Sequence, residues 1–197
     1  ICDFDVMEFI VGDVPHFITL SGNHYADTNK LAEDVKLLCQ HHCDLFGGKL
    51  PFDEYWFLTN ILPDGFGGLE HRNSTALLVS NLDFHSQQCG DSHSEDYLKL
   101  LSLFSHEYFH AWNVCRLKPK NFINLDLSRE EYTEQLWAYE GFTSYYDDLS
   151  LYRTGLATQT QYLNLLSKTL TRVNRGEGQN KQSLKESSFF AWTKFYQ

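Results

Sequence analysis

The sequence predicts an α+β domain in which a small N-terminal β-sheet is followed by a helical half. Three observations carry this. Short segments rich in β-branched and aromatic residues lie in the first part of the chain. From Ser94 onward the apolar residues recur at helical spacing. Strands first and helices second is the order of a segregated α+β domain. Residues 1–197 read as one domain, about 1–93 containing the sheet and about 94–197 the helices. With 42% apolar and 15% aromatic residues, the chain can build a sizeable core, and disorder is excluded.

Phe4 to Val11 and His16 to Leu20 read as strands around a turn at Gly12-Asp13-Val14-Pro15. Thr28 to Phe46 reads as an amphipathic helix, with Leu31, Val35 and Leu38 on one face and Gly47-Gly48 as its stop. Tyr55 to Leu62 and Thr75 to Ser80 are further strands, and Pro63-Asp64-Gly65 is a turn. A helix is expected from about Ser94 to Asn113. The next is expected to open at Ser128, where Ser128 and Glu131 have capping-box spacing, and to run towards Arg153 and Gly155. Thr158-x-x-Gln161 opens a third helix, Arg172 to Lys181 reads as a loop, and a fourth helix spans Leu184 to Trp192. There are no repeats or low-complexity segments.

The net charge of −10 comes without any basic stripe, so nucleic acid is not an expected partner. An acidic surface is repelled by anionic membrane and favours cationic substrates such as a peptide α-amine. No stretch is long and apolar enough to cross a membrane. Cys2, Cys39, Cys43, Cys89 and Cys115 are odd in number and irregular in spacing, which points to a reducing, cytoplasmic compartment without a disulfide framework. The chain starts at Ile1 and stops abruptly at Gln197, and reads as a piece of a longer protein.

The chemistry concentrates in His106-Glu107-Tyr108-Phe109-His110, an H-E-x-x-H pattern in a helical segment. Residues four apart share a helix face, so both imidazoles can reach one metal ion. Glu107 projects nearby and can act as a general base on a metal-activated water, the arrangement of a zinc peptidase. Catalytic zinc takes three protein ligands and keeps one position open. Glu140 on the following helix is the best third ligand, with Glu134, Asp147 and Asp148 as competitors. Asp147 and Asn113 are candidates to accept the remaining ring N–H of a ligating histidine.

Other features read more plainly. Cys39 and Cys43 bracket His41-His42 but are expected to be small buried apolar residues, not a second metal cluster. His16, His24, His85 and His93 are expected on the surface or in loops, Trp112 and Trp137 in the core. Tyr145 and Tyr146 are expected to pack between helices, the alternative being that they line the substrate cleft.

Three segments together resemble the glycyl aminopeptidase family of gluzincin metallopeptidases: His106 to Pro119, Leu136 to Asp148, and Gly67 to Ser74. The resemblance covers nearly the whole chain. It implies a thermolysin-like catalytic domain, with one Zn²⁺ held by His106, His110 and Glu140 and with Glu107 as the base. Gly67-Gly68-Leu69-Glu70-His71 resembles the Gly-Ala-Met-Glu-Asn motif of the aminopeptidase N type. By that resemblance Gly67 and Gly68 lie along an edge strand that pairs with substrate backbone, and Glu70 grips the substrate's free α-amine.

Two positions depart from the family. Cys115 stands where lysine is usual, and no Tyr-x-Lys-Gly motif is present to donate to an oxyanion. Tyr145, Tyr146 and Tyr196 are not assigned that role. The expected activity is hydrolysis of the N-terminal peptide bond of a peptide with a free amine. The alternatives are an endopeptidase using the same site and a catalytically weak domain in which zinc staples two helices.

Overall fold

The computed structural model describes residues 4–84, 93–124, 126 and 128–195. His85, Cys2, Cys89 and Tyr196 lie outside these, so the expectations placed on them have no structural counterpart.

Strands β1 (Phe4–Val11) and β2 (Val14–Ser21) form an antiparallel hairpin in which Val11 faces Val14. Pro15 pairs with Ile10 inside β2, so the strand begins two residues earlier than His16. Helix α1 (Thr28–Leu45) then carries the chain over to β3 (Tyr55–Leu62), which runs parallel to β2. β4 (Gly67–Glu70) and β5 (Ser74–Ser80) complete a five-stranded mixed sheet of order β1-β2-β3-β5-β4. β4 pairs antiparallel with β5 and lies at the sheet's edge. The strands do precede most of the helices, but α1 connects two parallel neighbours and sits within the sheet half.

The helical half contains α2 (Glu95–Phe109), α3 (Leu136–Arg153), α4 (Gln159–Arg175), α5 (Leu184–Phe189) and α6 (Ala191–Lys194). Ser94 caps α2 by accepting from the Tyr97 N–H at 3.2 Å. Thr158 and Gln161 form a reciprocal capping box at the start of α4. The expected box at Ser128 does not form. Ser128 closes instead on Asp126, through its N–H at 3.0 Å and its hydroxyl at 2.7 Å. The chain from 128 to 135 is therefore irregular, and α3 starts eight residues later than expected. Its first turn has no side-chain cap from Gln135, and the Trp137 N–H donates to Ser188 Oγ of α5 at 2.9 Å. α4 reaches further than expected, to Arg175, and the fourth predicted helix is broken at Phe190.

One core joins the halves. Ile18, Leu20, Tyr55, Phe57, Leu77 and Val79 line a face of the sheet and meet Leu31, Val35 and Leu38 of α1 and Leu98, Leu101, Phe104 and Tyr108 of α2. Side chains of this size contribute about 1.5–3 kcal/mol each when fully buried. Cys39 and Cys43 are buried and free, as the sequence indicated. Trp112 is in this core, stacked on Phe46, but Trp137 is 45% exposed and is not. Among the described residues no helix is long and apolar enough to cross a membrane.

His16 is buried within β2, contrary to the expectation of a surface or loop position; His93 does lie in a loop, just before α2, but is buried there, and His24 is half-buried in a loop beside Asp5. His16 falls in phase with Ile18 and Leu20 on the inner face of β2. Its Nδ1–H donates to the Val14 carbonyl and its Nε2 accepts from the Tyr108 hydroxyl at 2.8 Å. Both bonds suit a neutral ring, and burial pulls its pKa down to about 4. The unfolded chain takes a proton near 6.5 and the folded chain does not until about 4. Stability is therefore full above the unfolded pKa and falls as pH drops through that window. His16→Gln is expected to flatten this loss by about 1–3 kcal/mol between the two limits, read by denaturant unfolding across pH.

Candidate metal centre

α2 buries Leu98, Leu101, Phe104 and Tyr108 on the sheet and turns His106 and His110 towards α3. The helix was expected to continue to Asn113, but regular structure ends at Phe109 with His110 as its cap. The His110 N–H still reaches the His106 carbonyl at 3.3 Å, so the one-turn relation between the imidazoles survives. Beyond it the chain folds into tight turns, with the Cys115 N–H on the His110 carbonyl at 3.1 Å. Arg116 holds these turns by donating to the carbonyls of Ala111, Pro51 and Arg72 at 2.6–2.8 Å. No local sequence pattern marks Arg116 for this task.

Each imidazole is fixed through Nδ1. His106 Nδ1 donates to Asp147 Oδ2 at 2.8 Å, and His110 Nδ1 donates to the Asn113 carbonyl at 2.8 Å. Both partners are acceptors, so the Nδ1 positions carry protons and the Nε2 atoms are the ones that face Glu140. The Nε2 atoms lie 3.1 Å apart, and Glu140 Oε2 is 3.4 Å from one and 3.7 Å from the other. Among the described residues, His106, His110 and Glu140 form the group that could hold a metal ion. The Asn113 side chain does not orient His110 as expected. Its amide donates to the Tyr139 carbonyl and to Thr143 Oγ1, and only its backbone carbonyl serves the histidine.

The competing carboxylates are engaged elsewhere. Glu134 pairs with Lys185 at 2.9 Å, and Asp148 accepts from the Ser102 hydroxyl at 2.8 Å. Thr143 was missed in the sequence. It is fully buried between His110 and Asn113, four residues before Asp147 on the same helix.

Burial pulls His106 down, but its hydrogen bonds to Asp147 and Glu140 outweigh this and raise it to about 10. Burial pushes Glu140 up, and the two histidines overcome it and hold the carboxyl at about 2. Burial also lifts Asp147 to about 6 against the pull of His106. Without a metal ion, then, Glu140 faces protonated imidazoles, and an ion at the centre of the three groups would take the place of their Nε2 protons. Glu107 differs: burial dominates and pushes it up to about 7, with Glu70 and Glu140 adding to the rise and the histidines opposing it.

Glu107 is 4% exposed, and its Oε2 has no hydrogen-bond partner among the described residues. It lines a cleft of about 540 Å³ together with His106, His110 and Glu140. Gly68, Leu69 and Glu70 of β4 also line it. So do Leu136 of α3 and Ala191 and Trp192 of α6. Trp192 Nε1 donates to the Glu131 carbonyl at 3.1 Å, tying α6 to the irregular segment before α3. Tyr145 is about half exposed and Tyr146 stacks on Phe109; neither lines the cleft.

The family profile of the M61 glycyl aminopeptidases matches residues 99–197, the stretch that carries both histidines, Glu107 and Glu140. The chain belongs to the M61 glycyl aminopeptidase family. The M61 chain is also similar to a crystal structure of an aminopeptidase N family protein from Idiomarina loihiensis, at 50% identity and a TM-score of 0.93. That similarity covers 98% of the M61 chain and 33% of the Idiomarina protein, so the chain spans about a third of that relative's length. No curated protein sequence is significantly similar to it. In this M61 chain, then, His106, His110, Glu140 and Glu107 line one cleft together with Gly68 and Glu70. Gly67 lies at the start of the same edge strand.

Proposed function

We propose that this chain is the catalytic part of a zinc-dependent aminopeptidase with a thermolysin-like, gluzincin arrangement of its site. The observation that carries the reading is the convergence of three donor atoms beside a buried carboxylate, under the free edge of β4. Donor separations of 3.1, 3.4 and 3.7 Å suit ligands of one tetrahedral ion. Zinc bonds of about 2.0–2.1 Å place tetrahedral ligands roughly 3.3 Å apart. Two imidazoles and one carboxylate are also a donor set that leaves a position open for catalysis.

When bound, zinc supplies Lewis acidity that polarises the scissile carbonyl and acidifies the attacking water. Glu107 accepts the water's proton and passes it to the leaving amine. Its place beside the three donor groups, with Oε2 free of any partner among the described residues, puts one carboxyl group within reach of both transfers. Asp147 keeps the His106 ring in the tautomer that presents Nε2. β4 offers its unpaired backbone edge to an extended peptide. Glu70, at the end of that strand, receives the α-ammonium, which limits cleavage to the first bond.

The endopeptidase alternative shares every step except the last. A peptide substrate and its N-acetylated counterpart separate the two, assayed on the wild type and on Glu70→Ala. An aminopeptidase is expected to reject the acetylated peptide, and Glu70→Ala to weaken use of the free peptide by about 10–100-fold, the equivalent of a lost charged hydrogen bond. Equal cleavage of both peptides would establish the endopeptidase. A zinc staple is disfavoured by Glu107, whose buried free oxygen has no structural use beside it.

A further inference from the structure

The helices that carry the three donors meet along a seam of polar side chains. Ser102, Ser105 and His106 share one side of α2, at the three-and-four spacing of a helix face. All three reach the Asp147–Asp148 pair of α3. The Ser102 hydroxyl donates to Asp148 Oδ1 at 2.8 Å, the Ser105 hydroxyl to the Asp147 carbonyl at 3.2 Å, and His106 Nδ1 to Asp147 Oδ2 at 2.8 Å. Ser105 is fully buried and has one more partner, His42 of α1, whose Nε2 lies 2.8 Å from its oxygen. A helical serine commonly turns its proton back to the carbonyl four residues earlier. Ser105 sends it across to the neighbouring helix instead.

Proton count fixes the direction of these bonds. Serine has one hydroxyl proton and a carbonyl can only accept, so that proton goes to Asp147. Ser105 Oγ must then accept from His42, which puts the His42 proton on Nε2. Burial holds this ring at about 3, so it is neutral and its Nδ1 is bare. His42 is fully buried, and Nδ1 has no partner among the described residues. An unpaired buried polar atom costs stability, and an apolar residue of that size would fill the space without one. Packing alone therefore does not call for a histidine here; the Nε2–H does. We propose, resting on the reading of His106, His110 and Glu140 as metal ligands, that His42 and Ser105 are positioning residues of the metal centre: the run from His42 Nε2–H through Ser105 Oγ–H to the Asp147 carbonyl fixes the turn of α3 whose carboxylate holds the His106 ring. Asp147 is tied to α2 twice, by its backbone through Ser105 and by its side chain through His106. A ligand whose outer partner is itself held in place is preorganised for the ion.

Zinc affinity tests this, measured by chelator competition at one pH in the full-length protein, with the thermal midpoint of the metal-free form alongside. Ser105→Ala removes one oxygen and is expected to weaken zinc binding about tenfold, the low end of the loss seen when a ligand's own outer partner is removed. His42→Leu leaves the hydroxyl but supplies no donor to it, and is expected to do the same. Leu98→Ala, in the core earlier on the same helix, is the matched control. Its midpoint should fall while its zinc affinity stays within about twofold of wild type. Asp147→Ala decides the route, because it keeps the backbone carbonyl and removes the carboxylate. In that background Ser105→Ala is expected to cost no further affinity. An undiminished loss there overturns the proposal, and so does wild-type affinity in Ser105→Ala or an equal loss in Leu98→Ala. Zinc binding that is unchanged in Glu140→Ala would instead defeat the ligand reading itself, which separates the two failures.

Discussion

Glu107→Gln is expected to keep its metal and to lose turnover by about 10²–10⁴-fold, the usual worth of a positioned proton-transfer group. Gln has the shape of Glu and fits the same place, so fold and metal site should be unchanged. What disappears is the ability to take and return a proton. The loss should appear in kcat with little change in KM, because the carboxylate acts on the water and not on the bound peptide. Metal content measured on the same sample guards against a trivial loss of the ion. A fully active Glu107→Gln enzyme rules out the mechanism.

The second large effect is expected at Glu140. Glu140→Ala should reduce bound metal from about one ion per chain to a small fraction, with a loss of affinity beyond the roughly 10–100-fold typical of an outer hydrogen-bond partner. The two histidines would remain, but they sit close together and hold Glu140 well below the usual carboxylate range through the same attraction that a cation would use. Without that carboxylate, two neutral donors and a nearby Glu107 are all that face the ion. Glu134→Ala is the matched control, since Glu134 is exposed and paired with Lys185. Metal content by elemental analysis reads both variants. Metal that is indifferent to Glu140 would mean that the third ligand is another residue.

The features that were legible in the sequence are the ones decided locally. Ser94 and the Thr158–Gln161 pair cap their helices with neighbours three residues away, so the signal and its cause lie in one short window. The one-turn spacing of His106 and His110 is of the same kind. What was misread depends on distant partners. The start of α3 is set by Ser188, about fifty residues downstream, while the Ser128 pattern that looked like a start is satisfied by Asp126. β4, by contrast, was expected as an edge strand only through the family resemblance, because its four residues, two of them glycine, owe their strand geometry to pairing with β5. His16 carried a usable clue, because it alternates in step with Ile18 and Leu20, but histidine on an inner face needs a partner such as Tyr108 that no local window contains. For the same reason Asn113 could be placed near His110, while the choice between its side chain and its carbonyl could not be read.

Ser188 has a wider consequence. Glu140 lies barely more than one turn into α3, in the part of a helix most prone to fray. The first turn of α3 has no cap of its own and borrows a hydroxyl from α5. The third donor is therefore only as well ordered as the attachment of the last short helices. Ion retention becomes a reporter of folding at the far end of the chain, and a substitution in α5 that never approaches the ion can still loosen it.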